Sequence, residues 1–291
     1  MQRLHLLKSS RRRAGGVRDA ILQLLLTRRA KRRLKRPGAG RLHGLPSQLI
    51  VSLTSYPARF NTLHLTLACL LDQTVKADRT ILWIAKQDRQ ALPPAVLAFE
   101  DRGLEIRVCD DLRSYKKLIP ALQAFPEASI ATADDDIFYP RNWLEILVEA
   151  VEEGVIPCHR AHRIRRNADG TFRPYVDWEN DVQDAKARQA SSEILATSGA
   201  GALYSRRSFD PRVTDRSLFE RLCPDGDDLW FYWCARMRGA LHKKVGGKMR
   251  LMMWTGSQET SLWKHNEAGG NDRMIAALQA ELGGPEAHHL P

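Results

Sequence analysis

Three consecutive aspartates, Asp134, Asp135 and Asp136, directly follow the apolar run at residues 129–133. Adjacent carboxylates repel one another and are costly at the end of a buried strand unless a cation or hydrogen-bond donors offset their charge. In an extended backbone Asp134 and Asp136 would face one side and Asp135 the other. The run therefore indicates a site for a hard divalent cation that also holds a diphosphate, or alternatively a solvated acidic turn in which an aspartate caps the next helix.

Short apolar runs rich in β-branched residues alternate with segments of helical spacing in the first half of the chain. Buried strands are predicted at residues 49–54, 80–85, 104–109 and 129–133. Helices are predicted at residues 61–71, 94–103, 116–124 and 140–151. The connections are short enough for parallel crossovers, so we expect an α/β fold with a Rossmann-type central sheet. One more strand is predicted at residues 249–254.

The positive charge of the chain is concentrated at its N-terminus. Residues 1–41 hold fourteen Lys and Arg against one acid, whereas the formal net charge of the whole chain is +11, so the other 250 residues carry −2. A near-neutral body argues against an enzyme that binds nucleic acid around its active cleft. The apolar stretch 20–26 is too short to cross a bilayer and could form the apolar side of a helix on an anionic membrane surface. A basic tail without a specific role, or one that binds nucleic acid, is the alternative.

The cysteines give no sign of a disulfide framework or a zinc site. They are scattered along the chain without a close pair, at positions 69, 109, 158, 223 and 234. The odd number of cysteines and the lack of a secretory signal fit a reducing cytoplasm. Residues 37–40, Pro-Gly-Ala-Gly, are typical of a linker, so we expect the globular body to begin near residue 48.

Four features follow one another in a recognisable order. The first strand leads into Ser52–Arg59, and the aspartate triplet, the glycine-containing segment 197–204 and the acidic pair Asp227-Asp228 come after it. This order resembles glycosyltransferases of the GT-A fold, which use nucleotide-sugar donors, and is most similar to a bacterial group that builds polysaccharides and cell-surface glycans. The resemblance covers about residues 48–275 and includes the segments at 114–122, 132–137 and 158–163.

The resemblance implies a GT-A-like fold, with a mixed central sheet flanked by helices and a single main domain whose acceptor-side half is irregular. The expected parts are a basic segment at 1–41, a nucleotide-sugar-binding half at 48–154, an acceptor-binding and catalytic half at 155–275 and a tail at 276–291. A cytoplasmic protein, peripheral on the inner face of the cell membrane, is expected.

The resemblance also implies a metal and donor site. Asp134 and Asp136 match the Asp-x-Asp motif that holds the metal and the donor, and Mn²⁺ or Mg²⁺ would neutralise the leaving nucleoside diphosphate. His265 matches a late histidine on the metal, which favours Mn²⁺, although a surface histidine is the alternative. Donor contacts are expected from Thr54, Tyr56, Arg59, Lys117, Asp134 and Asp135.

The acidic pair matches the catalytic position of the same family. In inverting members the second acid is the general base that deprotonates the acceptor hydroxyl, so we expect Asp228 to be the base, with Asp227 beside it. An ordinary helix N-cap is the alternative for either aspartate. Acceptor contacts are expected at Gly199, Ala200, Gly201 and Trp230.

The expected function is metal-dependent transfer of a sugar from a UDP-sugar to a glycan or a lipid-linked glycan. No nucleic acid partner is expected. Two alternatives stay open from the sequence. One is a metal-dependent nuclease or phosphotransferase whose basic N-terminal segment binds nucleic acid, and the other is a catalytically silent scaffold anchored by that segment.

Overall fold

The computed structural model describes residues 21–33, 35, 38–249, 251–255 and 269–285. The strands of the described part are β1 (Leu49–Thr54), β2 (Arg79–Ala85), β3 (Leu104–Cys109), β4 (Ser129–Ala133), β5 (Val155–Cys158), β6 (Ala161–Arg163), β7 (Ile194–Ala196), β8 (Leu203–Ser205) and β9 (Leu241–Lys244). At the centre is a five-stranded sheet in the order β3-β2-β1-β4-β8, in which β1 to β4 are parallel and β8 is antiparallel to β4.

Helices cover the central sheet and also occur in the second half. The helices of the described part are α1 (residues 21–33), α2 (Phe60–Leu70), α3 (Pro94–Leu97), α4 (Ile119–Ala124), α5 (Trp143–Glu149), α6 (Arg216–Leu222), α7 (Asp227–Met237) and α8 (Asn271–Leu282). Prolines lie in the first turns of α3 and α4, where a missing backbone N–H costs nothing.

Strand β1 shows that the sheet is buried on both faces. Its residues alternate between two apolar layers, with Leu49, Val51 and Leu53 in the layer that contains α2 and Ile50 in the layer that contains α7. All four are completely buried. A continuous apolar run is what a parallel strand covered on both faces requires, so the α/β fold predicted from the sequence is confirmed.

The order of the strands creates a crevice beside β1. From β1 the chain builds β2 and β3 on one side and then returns to place β4 on the other side. In open α/β sheets, ligands bind outside the carboxyl ends of strands at such a reversal. The reversal brings residues 55–59, after β1, close to residues 134–136, after β4.

The second half of the chain is irregular, as predicted. It carries two small sheets, a parallel pair of β5 with β9 and an antiparallel pair of β6 with β7. A single bridge between Cys158 and Ala202 ties the end of β5 to the residue before β8. The small sheets are thereby fixed beside the crevice of the central sheet.

Two predicted elements near the C-terminus are wrong. Residue 249 and residues 251–254, the described part of the strand predicted at 249–254, do not form a strand: they are joined to the body by a bridge from Met253 to Ile137 and by loop hydrogen bonds along the acidic turn. The boundary between residues 275 and 276 falls inside α8, whose residues Met274, Ile275 and Leu278 are buried in the core. An amphipathic helix therefore continues where a tail was expected.

The described part of the N-terminal segment is not a separate head. Ala30 of α1 is completely buried, and Arg33 donates from Nη1 to the carbonyl of Tyr139 over 2.8 Å. Asp72 lies 3.5 Å from Arg33 Nε and accepts from the backbone N–H of Gly38 over 2.7 Å. A linker was predicted at residues 37–40, but residues 38–40, its described part, pack on the body, so the prediction is wrong for them. Among the described residues, no helix has the length and apolar character that a membrane span requires.

The buried carboxylate of Asp72 should be essential for docking α1. Its side chain is 2 % exposed and also accepts two hydrogen bonds from Arg141. Asp72→Asn leaves Arg33 without a compensating charge, so we expect a loss of roughly 3 kcal/mol, the cost of breaking a buried ion pair. That corresponds to a fall of roughly 6–12 °C in melting temperature. The matched change at an exposed position, Asp101→Asn, should leave the melting temperature unchanged, and equal values for the two variants would contradict the docking role.

Candidate active site

A cavity of about 970 Å³ lies at the carboxyl ends of β1 and β4. Both halves of the chain line it, so the reversal in the sheet and the irregular second half enclose one space. Most of the site residues predicted from the sequence line this cavity: Thr54, Tyr56, Arg59, Lys117, Asp134, Asp135, Asp136, Gly199, Ala200, Asp227 and Asp228.

Lys117 connects the acidic groups of the two halves. Its Nζ lies 2.9 Å from Oδ1 of Asp134 and 3.2 Å from Oδ2 of Asp227. Its side chain is only 7 % exposed, and Ser52 of β1 fixes its backbone by donating to the Lys117 carbonyl over 2.6 Å. Burial opposes the charge, but the carboxylates of Asp134, Asp227 and Asp228 outweigh it and raise the pKa of Lys117 well above its ordinary value. Lys117 is therefore a permanent cation between two groups of acids.

The acidic turn is not an extended strand. β4 ends at Ala133 and the chain turns at residues 135 and 136. Asp135 accepts from the Ser55 hydroxyl over 2.5 Å and lies 3.7 Å from Arg59 Nη1, which also pairs with Asp136. The expectation that Asp135 faces away from Asp136 is wrong, because alternation of side chains stops where the strand stops. Burial raises the pKa of Asp135 to about 7, against the hydrogen bond from Ser55.

Tyr139 fixes the turn to the second half of the chain. Its hydroxyl accepts from the backbone N–H of Asp134 over 2.8 Å and donates to the carbonyl of Gly199 over 2.5 Å. The α-carbon of Gly199 comes so close to Asp134 that an added Cβ would overlap the carboxylate. Glycine is required at this position by the close approach of the two segments.

The acidic pair opens α7, and its two members have different surroundings. The N-cap is Gly226, so neither aspartate serves as an ordinary N-cap. Asp227 is buried and paired with Lys117, whereas Asp228 is half-buried and accepts from the backbone N–H and the hydroxyl of Ser198 over 2.8 and 2.5 Å. Both of these bonds reach Oδ1, so Oδ2 of Asp228 is available to accept from another hydroxyl.

The electrostatic surroundings give Asp228 the pKa of a base near neutral pH. Burial, and then repulsion from Asp227, raise its pKa to about 6, while Lys117 and the Ser198 hydrogen bonds act in the opposite direction. A carboxylate with a pKa just below neutral pH is ionised yet still basic, which suits general-base catalysis.

Two predicted acceptor contacts are wrong. Trp230 is completely buried, and its Nε1 donates to the carbonyl of Val213 over 2.9 Å, so its ring cannot stack on a ligand. Gly201 does not line the cavity. It adopts a φ of 114°, and an added Cβ would overlap the indole of Trp143. Core packing and a left-handed backbone explain this glycine.

The described residues can supply part of the ligand shell of a divalent cation, and a phosphate ligand and water must supply the rest. Among the described residues there is no group of three or more His, Cys, Asp or Glu that could hold a metal ion, and His265 lies outside them. Asp134 and Asp136 nevertheless line one cavity, and the side chain of Asp134 is 39 % exposed. Their carboxylate oxygens are the ligands that Mg²⁺ and Mn²⁺ prefer, and both ions complete their shells with phosphate oxygens and water. The donor set fits a cation that is bound jointly with a phosphate ligand.

Sequence reasoning missed the side chains that position the site. Ser55, Tyr139 and Ser198 each hold an aspartate or its backbone in place. Ser55 and Ser198 lie inside segments that the sequence singled out, so a hydroxyl beside those motifs was a usable signal. Tyr139 belongs to an apolar run and carries no such signal.

Comparisons with known proteins support the fold. No protein-family model matches the chain, and no curated protein matches it. Among solved structures, a mannosyltransferase from Pyrobaculum calidifontis in complex with GDP-mannose and Mn²⁺ aligns over 90 % of this chain and 73 % of that chain, with 16 % identity and a TM-score of 0.50. A crystal structure of S. aureus TarS aligns over 70 % of this chain and 59 % of that chain, with 12 % identity and a TM-score of 0.42. A crystal structure of GalNAc-T7 with UDP, GalNAc and Mn²⁺ aligns over 84 % of this chain and 52 % of that chain, with 13 % identity and a TM-score of 0.45. The GT-A-like fold expected from the sequence is confirmed.

The close approach of Gly199 to Asp134 can be tested by adding one methyl group. Gly199→Ala must displace the Asp134 carboxylate and weaken its ion pair with Lys117, so we expect a loss of about 1–2 kcal/mol in the free energy of unfolding. Gly247→Ala is the matched control, because nothing lies within 4 Å of a Cβ at that position. Denaturant unfolding of both variants would measure the difference, and a Gly199→Ala variant as stable as Gly247→Ala would contradict the geometry.

Proposed function

We propose that this chain is a metal-dependent glycosyltransferase that moves a sugar from a nucleoside diphosphate to a hydroxyl of a glycan or lipid-linked glycan, with inversion at the anomeric carbon. The observation that carries this proposal is the position of Lys117. Its ammonium group joins Asp134 of the acidic turn to Asp227 of α7 inside one cavity. The acids that suit a donor diphosphate and those that suit an acceptor hydroxyl therefore face the same space.

The donor would bind on the side of the central sheet. Thr54 ends β1, Tyr56 and Arg59 follow it, and all three line the cavity beside the acidic turn. Asp134 and Asp136 would hold Mn²⁺ or Mg²⁺, which when bound offsets the charge that develops on the leaving diphosphate. The family resemblance supports a UDP-sugar, and the mannosyltransferase of similar fold binds GDP-mannose with Mn²⁺. In either case the donor is a nucleoside diphosphate sugar.

The acceptor hydroxyl would be activated by Asp228. Oδ2 takes the proton, the hydroxyl oxygen forms a bond to the anomeric carbon, and the bond from that carbon to the diphosphate breaks with its electron pair on the departing nucleotide. Ser198 orients the base through Oδ1, and Lys117 offsets the charge of Asp227 so that Asp228 stays ionised. Attack from the face opposite the diphosphate inverts the anomeric configuration.

Replacing the base should separate chemistry from donor binding. Asp228→Asn removes proton abstraction, so kcat should fall by roughly a hundred- to ten-thousand-fold. Affinity for UDP with Mn²⁺, measured by calorimetry, should stay within a few-fold of wild type, because the base acts on the acceptor. Asp101→Asn, an exposed control, should retain full activity. Normal turnover in Asp228→Asn, or loss of nucleotide binding, would show that Asp228 is not the base.

The pH dependence should report the same carboxylate. Since Asp228 must be ionised, kcat/KM should fall as the pH drops below about 6. Ser198→Ala removes a hydrogen bond that favours the charged form, so the pKa rises and the acid limb should move up by roughly one pH unit. Ser217→Ala removes the same kind of bond, to the exposed Asp215, and should leave the profile in place. Identical profiles for the two serine variants would contradict this assignment.

We further propose that α1 holds the enzyme on the inner face of the cell membrane, where it would build polysaccharide or other cell-surface glycan. Ile21, Leu24 and Leu25 are large apolar side chains that α1 leaves exposed, although its buried residues pack on the body. Exposed basic side chains share the helix, at positions 28, 29, 31 and 32. Apolar and cationic side chains together are what an anionic bilayer surface binds.

Membrane binding can be tested in the full-length chain. The triple substitution Ile21→Ser, Leu24→Ser and Leu25→Ser should reduce binding to phosphatidylglycerol vesicles at least tenfold at high salt, where exposed charges are screened and apolar burial remains. Leu42→Ser is the control, because Leu42 is 82 % exposed and lies outside α1. Co-sedimentation measures the bound fraction, and equal binding by the two variants would remove the membrane role of α1.

A further inference from the structure

Two side chains that carry N–H donors, those of Arg160 and His162, line the cavity at the start of β6. Arg160 lies in the bend directly before the strand, and His162 is the middle residue of the strand. Both line the cavity, although neither belongs to the donor side or to the acidic pair. The proposed transfer assigns no role to either side chain.

The hydrogen bonds of His162 fix which ring nitrogen carries a proton. The backbone N–H of Asp181 donates to Nδ1 of His162 over 3.1 Å, so Nδ1 is the unprotonated nitrogen and Nε2 carries the proton. Burial, and then the charge of Arg160, lower the pKa of His162 to about 3, which agrees with this neutral form. The ring therefore presents an N–H donor at Nε2.

The Nε2–H group of His162 faces an N–H group of Arg160, which is also a donor. Nη1 of Arg160 lies 3.4 Å from Nε2 of His162, and a guanidinium has no acceptor atom. Two N–H groups this close cannot satisfy each other, while a single oxygen of a carboxylate or phosphate accepts from both. Among the described residues, the carboxylate paired with Arg160 is that of Asp181, at 4.0 Å from Nε. Lys116 and Arg113, by comparison, lie 2.5 and 2.6 Å from their carboxylates.

The backbone connects this donor pair to the segment that holds Asp228. The N–H of Thr197 donates to the carbonyl of Arg160 over 3.0 Å, and the next residue, Ser198, holds the carboxylate of Asp228. An oxygen bound by Arg160 and His162 would therefore belong to the molecule whose hydroxyl reaches Asp228. The donor diphosphate has its own partners across the cavity.

We propose that the acceptor carries an anionic group, a carboxylate or a phosphate, which Arg160 Nη1 and His162 Nε2 bind together. This inference rests on the proposed glycosyl transfer and specifies its substrate class, an acidic glycan. Arg160 supplies the positive charge that attracts the anionic group, and the fixed N–H of His162 sets the direction of the hydrogen bond. A neutral acceptor would leave both donors without an acceptor, which costs binding free energy in a buried site.

The test is an array of glycans in three sets that share backbones but differ in charge: neutral, uronic-acid-containing and phosphate-containing. Full-length protein with UDP and Mn²⁺ should bind at least one acidic set ten times more tightly than the neutral set. The acidic set that binds identifies the carboxylate or the phosphate as the group recognised. Arg160→Gln should lose this preference, and Arg165→Gln, an exposed control with the same loss of charge, should keep it.

The two variants share the basic N-terminal segment, so nonspecific attraction to acidic glycans is equal in both. Melting temperatures within a few degrees of wild type would show that each variant folds. Equal binding of neutral and acidic glycans, no binding of any acidic glycan, or a preference that survives in Arg160→Gln would overturn the inference. Failure of the proposed function is detected separately, as no release of nucleotide from any sugar donor by the wild-type protein.

Discussion

The ammonium group of Lys117 lies within hydrogen-bond distance of carboxylates that the chain supplies from two distant segments. Without it, the partly exposed Asp134 and the buried Asp227 would lose the cation that they share, and repulsion from Asp227 would further raise the pKa of Asp228. A buried ion pair contributes little net stability, because desolvation cancels much of the attraction. In this protein the ion pairs of Lys117 fix the position of the acids, since one cation holds the acidic turn and the start of α7 at the same cavity.

Further hydrogen bonds fix the side chains and the backbone of the site in place. Ser198 holds the carboxylate of Asp228 through Oδ1, and Tyr139 ties the backbone of the acidic turn to Gly199. The backbone N–H of Thr197 donates to the carbonyl of Arg160, so Arg160 is connected to the same short segment. Residues 197–199 thus contact the acidic turn, Asp228 and Arg160, and the close approach to Asp134 leaves no room for a Cβ at Gly199.

Local sequence pattern predicted the elements that depend only on local chemistry. The β-branched run of β1 and the aspartates after β4 placed the sheet and the cavity correctly, since buried strands and their carboxyl ends follow from composition and order. Orientation was not predictable in the same way. Asp135 faces Arg59 because the chain turns, and Trp230 is buried because Val213 and the core cover the inner face of α7. Such outcomes depend on segments that are distant in sequence.

The claim that this cavity transfers sugar from a nucleotide is tested most directly by nucleotide release. Purified full-length protein, with Mn²⁺ and a panel of nucleoside diphosphate sugars, should release nucleotide from at least one donor, with UDP-sugars expected first. Removing the divalent cation should abolish release, and Lys117→Met, which keeps the length of the side chain without its charge, should reduce it at least a hundredfold. No release from any donor, or a Lys117→Met variant as active as wild type, would contradict the account.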